Sequence, residues 1–280
     1  MEYYSALIID IKNSRKYEEN DRGSIQNYIK ESITLLNDLF RPALKFEIIF
    51  SGGDEVQGLF SNPSAAFLYY RLLNMIIHPV KTRAGLGIGS WDIKIIGGSS
   101  TEQDGSAYHN ARNAINKDNE KDDYNLIVNS GDEDDIFVNT YLNASSLLMN
   151  LQTEKQSQLL LLIELLYPII KSDSMDMDFL ASLNDLIHKK TRYEYFSKNN
   201  WTSIQNDDLA IQEIGSNYIL NYTFNHIGRI KGLTNQLVKI TGATRQNIEK
   251  TMKAGNVNQI REINIVTLKI MDKLYSGGSL

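Results

Sequence analysis

Residues 46–60 read FEIIFSGGDEVQGLF: two short apolar runs, Phe46 to Phe50 and Val56 to Phe60, on either side of Ser51-Gly52-Gly53-Asp54. Apolar runs paired across a glycine turn are the signature of a β-hairpin, and this one puts Asp54 and Glu55 at its tip. Upstream, Tyr3 to Asp10 is β-rich and gives way to the loop chemistry of Asn13, Ser14 and Arg15, so a first strand ends at Asp10. Between the two, Ile25, Ile29, Ile33, Leu36 and Phe40 recur every three to four residues, the period of a one-faced helix over Asp21 to Phe40, closed by Pro42. Downstream, Pro63 to Ile77 reads as a helix with proline at its start. Thr82 to Gly89 reads as a strand whose glycines imply a close neighbour. A short strand at Trp91 to Ile96, a helix at Gly105 to Asn116 and a last strand at Asn125 to Asn129 follow.

The order β, α, β, β, α, β is the ferredoxin-like plan. It predicts a domain over residues 1–140 with an antiparallel sheet and helices on one face. In that topology the end of the first strand and the hairpin tip meet at one sheet edge, which makes Asp10 and Asp54 neighbours. From Tyr141 the pattern is helical: a middle region over 141–220, with one or two helices in Leu147 to Ile170 and a polar mixture over Ser172 to Asp208, then a basic module over 221–280. The fold class is α+β, a mixed N-terminal domain followed by an all-helical region.

The chain has 280 residues, 42% hydrophobic and 22% charged, with a net charge of −5, inside the range of ordinary soluble proteins. Zero Cys removes disulfides, thiolate metal sites and Cys nucleophiles together. The start, MEYYSALIIDIK, lacks the basic opening and long apolar middle of a signal peptide. The most apolar segment, Leu159 to Ile170, is interrupted by Glu164 and falls short of the roughly 18 residues a bilayer span needs. The expectation is a cytoplasmic protein without a membrane partner. Residues 221–280 hold nine Lys and Arg against three acids, leaving −11 on the rest, so any polyanion contact belongs to the C-terminal module.

Two carboxylates beside a glycine turn suit a hard cation, Mg²⁺ or Mn²⁺, that shares its remaining positions with phosphate oxygens. Asp10 and Asp54 are the candidate ligands, with the backbone carbonyl of Ile11 as a third. Amides near Asn13 and Ser14, the Arg15 guanidinium, and Gly52 and Gly53 of the turn are candidates to meet phosphate. The competing explanation is plain turn chemistry, in which Asp and Gly serve only the hairpin. Glu55, next in sequence to Asp54, is expected to face solvent on the other side of the strand. His109 reads as a surface or packing residue with no second His at metal-binding spacing, and neither a Rossmann nor a P-loop glycine pattern occurs.

A second constellation is LTNQLVKITGATRQNIEKTM, residues 233–252. Leu237 and Val238 lie on a first helix, Gly242 in a tight turn, Thr244 at the N-cap of a second helix, and Ile248 and Met252 face back. This is a helix-turn-helix pattern, with an ordinary αα-hairpin as the alternative. Thr244, Arg245, Gln246, Asn247 and Lys250 then sit at the exposed start of the recognition helix, where such side chains contact DNA bases and phosphates.

The phrases ALIIDIKNSR, FSGGDEVQGLF, RAGLGIGSWDIKI and GSSTEQDGSAYHNAR, in that order, resemble the SatD-like family, which looks related to class III nucleotide cyclases and more distantly to GGDEF domains. The resemblance covers about residues 1–130. It implies a cyclase-like palm domain in which Asp10 and Asp54 hold the metal and Arg112 meets phosphates. Tyr108 stands where the ribose-orienting Asn of cyclases is found, and Phe50 where their base-reading Lys is found. The metal and phosphate half of such a site is thus present while the base-recognising half departs. SatD-like proteins also end in a segment resembling a helix-turn-helix. The leading expectation is a regulator in which nucleotide and Mg²⁺ or Mn²⁺ control DNA binding, working as a homodimer because repressor modules bind paired half-sites. The alternatives are an active nucleotide cyclase or nucleotidyltransferase, in which Arg112 stabilises transition-state charge, and a helical interaction scaffold with a relic palm domain.

Overall fold

The computed structural model describes residues 3–118, 124–169, 177–198, 230 and 232–275. The remainder of the polar stretch Ser172 to Asp208, and the start of the basic module, lie outside the described residues. The chain is a mixed α+β protein. Its first part runs β1 (Tyr4–Ile11), α1 (Glu19–Phe40), β2 (Leu44–Gly52), β3 (Glu55–Phe60), α2 (Pro63–Ile77), β4 (Thr82–Gly89), α3 (Ser106–Asp118) and β5 (Leu126–Asn129). The strands form one five-stranded sheet in the order β2-β3-β1-β4-β5, antiparallel throughout except for the parallel pair β4-β5.

Alternation along the strands splits the core in two. Leu7, Ile9 and Ile11 of β1 join Val56 and Phe60 of β3 and Ala84, Leu86 and Ile88 of β4 in the main core, under α1 and α2. Tyr4, Ala6 and Ile8 point the other way, to a smaller core with Leu59 and with Ala107, Tyr108, Ala111 and Ile115 of α3. The expected single helical face is therefore corrected: α3 covers the opposite face. The glycines of β4 make this possible. A Cβ on Gly87 would lie 2.1 Å from both the carbonyl oxygen of Ala107 and the amide nitrogen of Ala111, so α3 rests directly on the strand backbone. Gly87→Ala must lift α3 off the sheet. Chemical denaturation is expected to show a loss of about 3 kcal/mol, the upper range for overpacking.

Two local features depart from the simple strand pattern. In β2 the pairing with β3 slips at bulges between Leu44 and Phe46 and between Phe46 and Ile49. The Asn37 side chain of α1 stabilises this region, donating to the Ile48 carbonyl at 2.9 Å and accepting from its N–H at 3.1 Å. Trp91 to Ile96 is not a strand but a loop with one bridge, Ile93 to Asp104. Of its apolar residues only Trp91 serves the core, its ring packing edge-on against Tyr4 and Phe46 and closing the small core, while Ile93, Ile95 and Ile96 are exposed.

The helical part comprises α4 (Asp135–Asn150), α5 (Glu154–Leu166), α6 (Met177–Lys189), α7 (Glu194–Lys198), α8 (Leu233–Thr241), α9 (Arg245–Ala254) and α10 (Val257–Tyr275). It starts at Asp135, ahead of the expected Tyr141. The main core runs on into it without a break, from Leu7 to Met271. Packing of α10 against α4 is fixed by Ser145 to Asn264 at 2.8 Å and Tyr275 to Asp135 at 2.7 Å. At its centre the buried carboxylate of Glu164 (α5) is held by Arg71 (α2) at 2.8 Å and by Arg261 (α10).

Candidate functional site

Register builds the site. Asp10 is paired with Glu55 of β3 on one side and with Arg83 of β4 on the other, and residues directly opposite on neighbouring strands share a sheet face. That face is the one covered by α3. Arg83 donates from Nε to Asp10 Oδ2 at 2.7 Å, with its Nη2 2.6 Å from the same oxygen. Arg112 reaches down from α3 and grips both oxygens of Glu55, at 2.5 and 2.9 Å, while the Ser51 hydroxyl donates to Glu55 at 2.7 Å. The hairpin turn narrows to Gly53 and Asp54, with Gly53 in the left-handed region at φ 58° and its carbonyl accepting from Gln26 of α1 at 3.0 Å.

These groups open onto a cleft of about 670 Å³. One wall is acidic: Asp10, Asp54 and Glu55. The other is the loop after β1, bringing Lys12, Asn13, Ser14, Arg15 and Lys16, with Ile11, Gly52 and Arg83 completing the lining. Asn13 takes a left-handed backbone, φ 57°, which turns the chain into a short 3-10 segment over Ser14–Lys16.

Burial is the largest influence on Asp10 and pushes its carboxyl above the ordinary value; Arg83 opposes this, and repulsion from Asp54 and Glu55 adds to it. Glu55 ends the other way. Burial alone would raise it, but the bonds from Arg112 and Ser51, aided by Arg83, hold it below the ordinary value. Glu55 therefore contributes stability that is present above the unfolded glutamate value and is lost as pH falls through its lower folded value. Asp10 has the opposite sign, its contribution being lost as pH rises through its raised value. In a carboxyl titration by NMR, Arg112→Met is expected to move the Glu55 midpoint upward and leave that of Asp10 nearly in place.

The donor set fits a hard divalent cation. Mutually repelling carboxylates with one member pushed toward its neutral form are what a cation relieves. Among the described residues, no three His, Cys, Asp or Glu side chains are grouped to hold a metal ion by themselves. The remaining oxygen positions would then fall to phosphate, for which Arg15 and Lys16 of the cleft lining are the candidate partners; the Lys12 ammonium donates to the Tyr124 carbonyl at 3.1 Å.

Of the expected site residues, Asp10, Ile11, Asn13, Ser14, Arg15, Gly52 and Asp54 line this one cleft. Gly53 shapes the turn beside it. Arg112 touches the cleft through Glu55. Tyr108 does not line it: its ring is in the small core and its hydroxyl lies 3.3 Å from Ser100 Oγ. Phe50 packs against the main core. Glu55, expected in solvent, is corrected to the Asp10 face. Asp54 belongs to the turn, so strand alternation starts only at Glu55. Arg83, Lys12 and Lys16 were not foreseen. Arg83 shares the parity of Gly85, Gly87 and Gly89, and that spacing alone assigns it to the same face. His109 is exposed, 3.1 Å from Asp104.

In the C-terminal region, α8 and α9 are joined by Gly242-Ala243-Thr244, with Gly242 at φ 65°. Thr244 N-caps α9, its side chain accepting from the Asn247 N–H at 3.3 Å. Leu237 and Ile248 are buried between the helices, whereas Thr244, Arg245, Gln246, Asn247 and Lys250 are all exposed on the first turns of α9. Arg245 pairs with Glu249 at 2.9 Å.

The SatD family model matches residues 4–191. The chain belongs to the SatD family. No curated protein and no solved structure matches it. The SatD match extends beyond the roughly 130 residues that carry the motifs. It takes in the sheet, every residue of the cleft and helices α1 to α6. The α8–α9 pair lies outside it. Within the described residues, no helix of this SatD protein is long and apolar enough to cross a membrane.

Proposed function

We propose that this SatD-family protein is a regulator whose cleft binds a nucleotide together with Mg²⁺ or Mn²⁺ and thereby controls DNA binding by α8 and α9. The observation that carries the reading is the convergence of Asp10, Asp54 and Glu55 with Arg15, Lys16 and Arg83 on one cleft: acids for a cation, bases for phosphates. Asp10 ends a central strand and Asp54 sits in the adjoining hairpin, which supports the relation to cyclase-like palm domains. The metal would supply neutralisation of phosphate charge. Asp10 and Asp54 would hold it, and the loop over Asn13 to Lys16 would orient the phosphates. Binding is favoured over turnover because Arg112, the candidate for stabilising transition-state charge, is committed to Glu55.

Control of one site by another requires that the nucleotide bind two arrangements of the protein unequally. A chain of polar contacts runs from α2, which packs on the strands of the sheet, to α8 and supports such coupling: Arg71 of α2 to Glu164, Glu164 to Arg261 of α10, Arg261 to the Tyr167 carbonyl at 2.7 Å, and the Tyr167 hydroxyl to Gln236 of α8. A second copy of the chain would provide the paired recognition helices that repressor half-sites require.

Duplexes selected from a random pool and titrated by fluorescence anisotropy test the DNA half. Arg245→Ala with Lys250→Ala is expected to weaken binding about tenfold and to lower the salt slope by about 2. Adding nucleotide with Mn²⁺ is expected to shift the affinity of the unsubstituted protein. Unchanged affinity and salt slope in the double variant overturn the DNA assignment.

A further inference from the structure

Asp10 and Glu55 are both held by arginine, but in different ways. Arg112 forks onto two oxygens of Glu55, the geometry of a strong fixed pair. Arg83 instead aims Nε and Nη2 at the single oxygen Oδ2 of Asp10. Its side chain keeps 31% of its surface exposed against 14% for Asp10, so it borders the open cleft and has room to leave. Asp54, by contrast, takes part in no ion pair among the described residues.

Charge counting gives this difference a consequence. Three carboxylates and two bound guanidinium groups leave the inner site at −1. A bare divalent cation on Asp10, whether it takes the open Oδ1 or displaces Arg83 from Oδ2, must sit beside the guanidinium, with no anion for that group to move to. A cation arriving with a polyphosphate brings the anion with it. Resting on the nucleotide reading above, we infer that Arg83 is a built-in counter-ion of the metal site: it occupies Asp10 when the cleft is empty and transfers to phosphate when ligand enters. The cleft then takes metal and polyphosphate as a unit and discriminates against free metal, because each component supplies what the other needs. Arg83 is a positioning and selectivity residue in this account.

Equilibrium dialysis of the full chain tests it, with Mn²⁺ alone and with the Mn²⁺–tripolyphosphate complex as probes. Arg83→Met removes the charge and keeps the length; Arg83→Gln is a second variant, should the first fold poorly. Arg41→Met removes the same charge just past the end of α1, where Arg41 pairs with exposed Asp38. The expected result for Arg83→Met is about tenfold tighter binding of Mn²⁺ alone and about tenfold weaker binding of the complex. Arg41→Met should match the unsubstituted protein in both. Equal Mn²⁺ affinity with and without Arg83, while the complex still binds, overturns the counter-ion role and leaves the nucleotide reading intact. Absence of both probes from every protein removes the reading and the inference together.

Discussion

Asp10→Asn is expected to weaken binding of an Mn²⁺–nucleotide complex about 100-fold in calorimetric titration, while thermal stability holds or rises. The first part follows from the loss of a charged oxygen ligand at a site with few carboxylates. The second follows from the electrostatics of the empty cleft. Burial and repulsion from Asp54 and Glu55 disfavour the Asp10 carboxylate, so a neutral amide of the same shape removes a cost, and its carbonyl oxygen can still accept from Arg83. Groups kept at the expense of stability are a common mark of a binding site. A variant that lost stability and kept its affinity would instead make Asp10 a structural residue.

Glu164→Ala is expected to lower stability by about 3–5 kcal/mol, because it strands two guanidinium groups in the core. Glu164 and Arg261 are both buried, as is Arg71. Although burial alone would raise the Glu164 carboxyl, the two arginines hold it below its ordinary value. Its stabilisation is therefore complete above the unfolded glutamate value and is lost as pH falls through the lower folded value. Urea denaturation at neutral pH and again near pH 4 reads both effects. The combined replacement Arg71→Met, Glu164→Leu and Arg261→Met should recover most of the loss, since a packed apolar trio often matches a buried ion cluster. In that variant the link from α2 through α5 to α10 is gone. If nucleotide still shifted DNA affinity to the same degree, the coupling would have to run elsewhere.

Much of the sheet was legible in the sequence because its signals are local. The glycine turn between Phe50 and Val56 fixed the hairpin, and the glycines of β4 announced a close neighbour. Their shared parity puts that neighbour on the face opposite Ala84, Leu86 and Ile88, but the ferredoxin-like plan, with its helices on one face, does not assign α3 to it. Trp91 to Ile96 misleads because its isoleucines are exposed and only Trp91 is held against a core. Asp10 and Asp54 were found from strand ends and turns. The face of Arg83 is legible from its parity with the glycines of β4, but its place beside Asp10 needs strand register, which a single strand does not carry; Glu55 is misread when the alternation is started at Asp54, a turn residue. The buried Arg-Glu-Arg cluster was out of reach, because only tertiary packing brings together residues as far apart as Arg71 and Arg261.

The most direct measurement mixes the purified protein with each of the four nucleoside triphosphates in Mg²⁺ and in Mn²⁺, separates protein from solution, and identifies free and retained nucleotides by mass spectrometry, with Asp54→Ala alongside. The account predicts unchanged nucleotide retained by the unsubstituted protein and lost from Asp54→Ala. Nucleotide converted to product by the unsubstituted protein alone would make the cleft catalytic and contradict the regulator reading. No nucleotide retained with either metal, or equal retention by both proteins, would contradict the site itself.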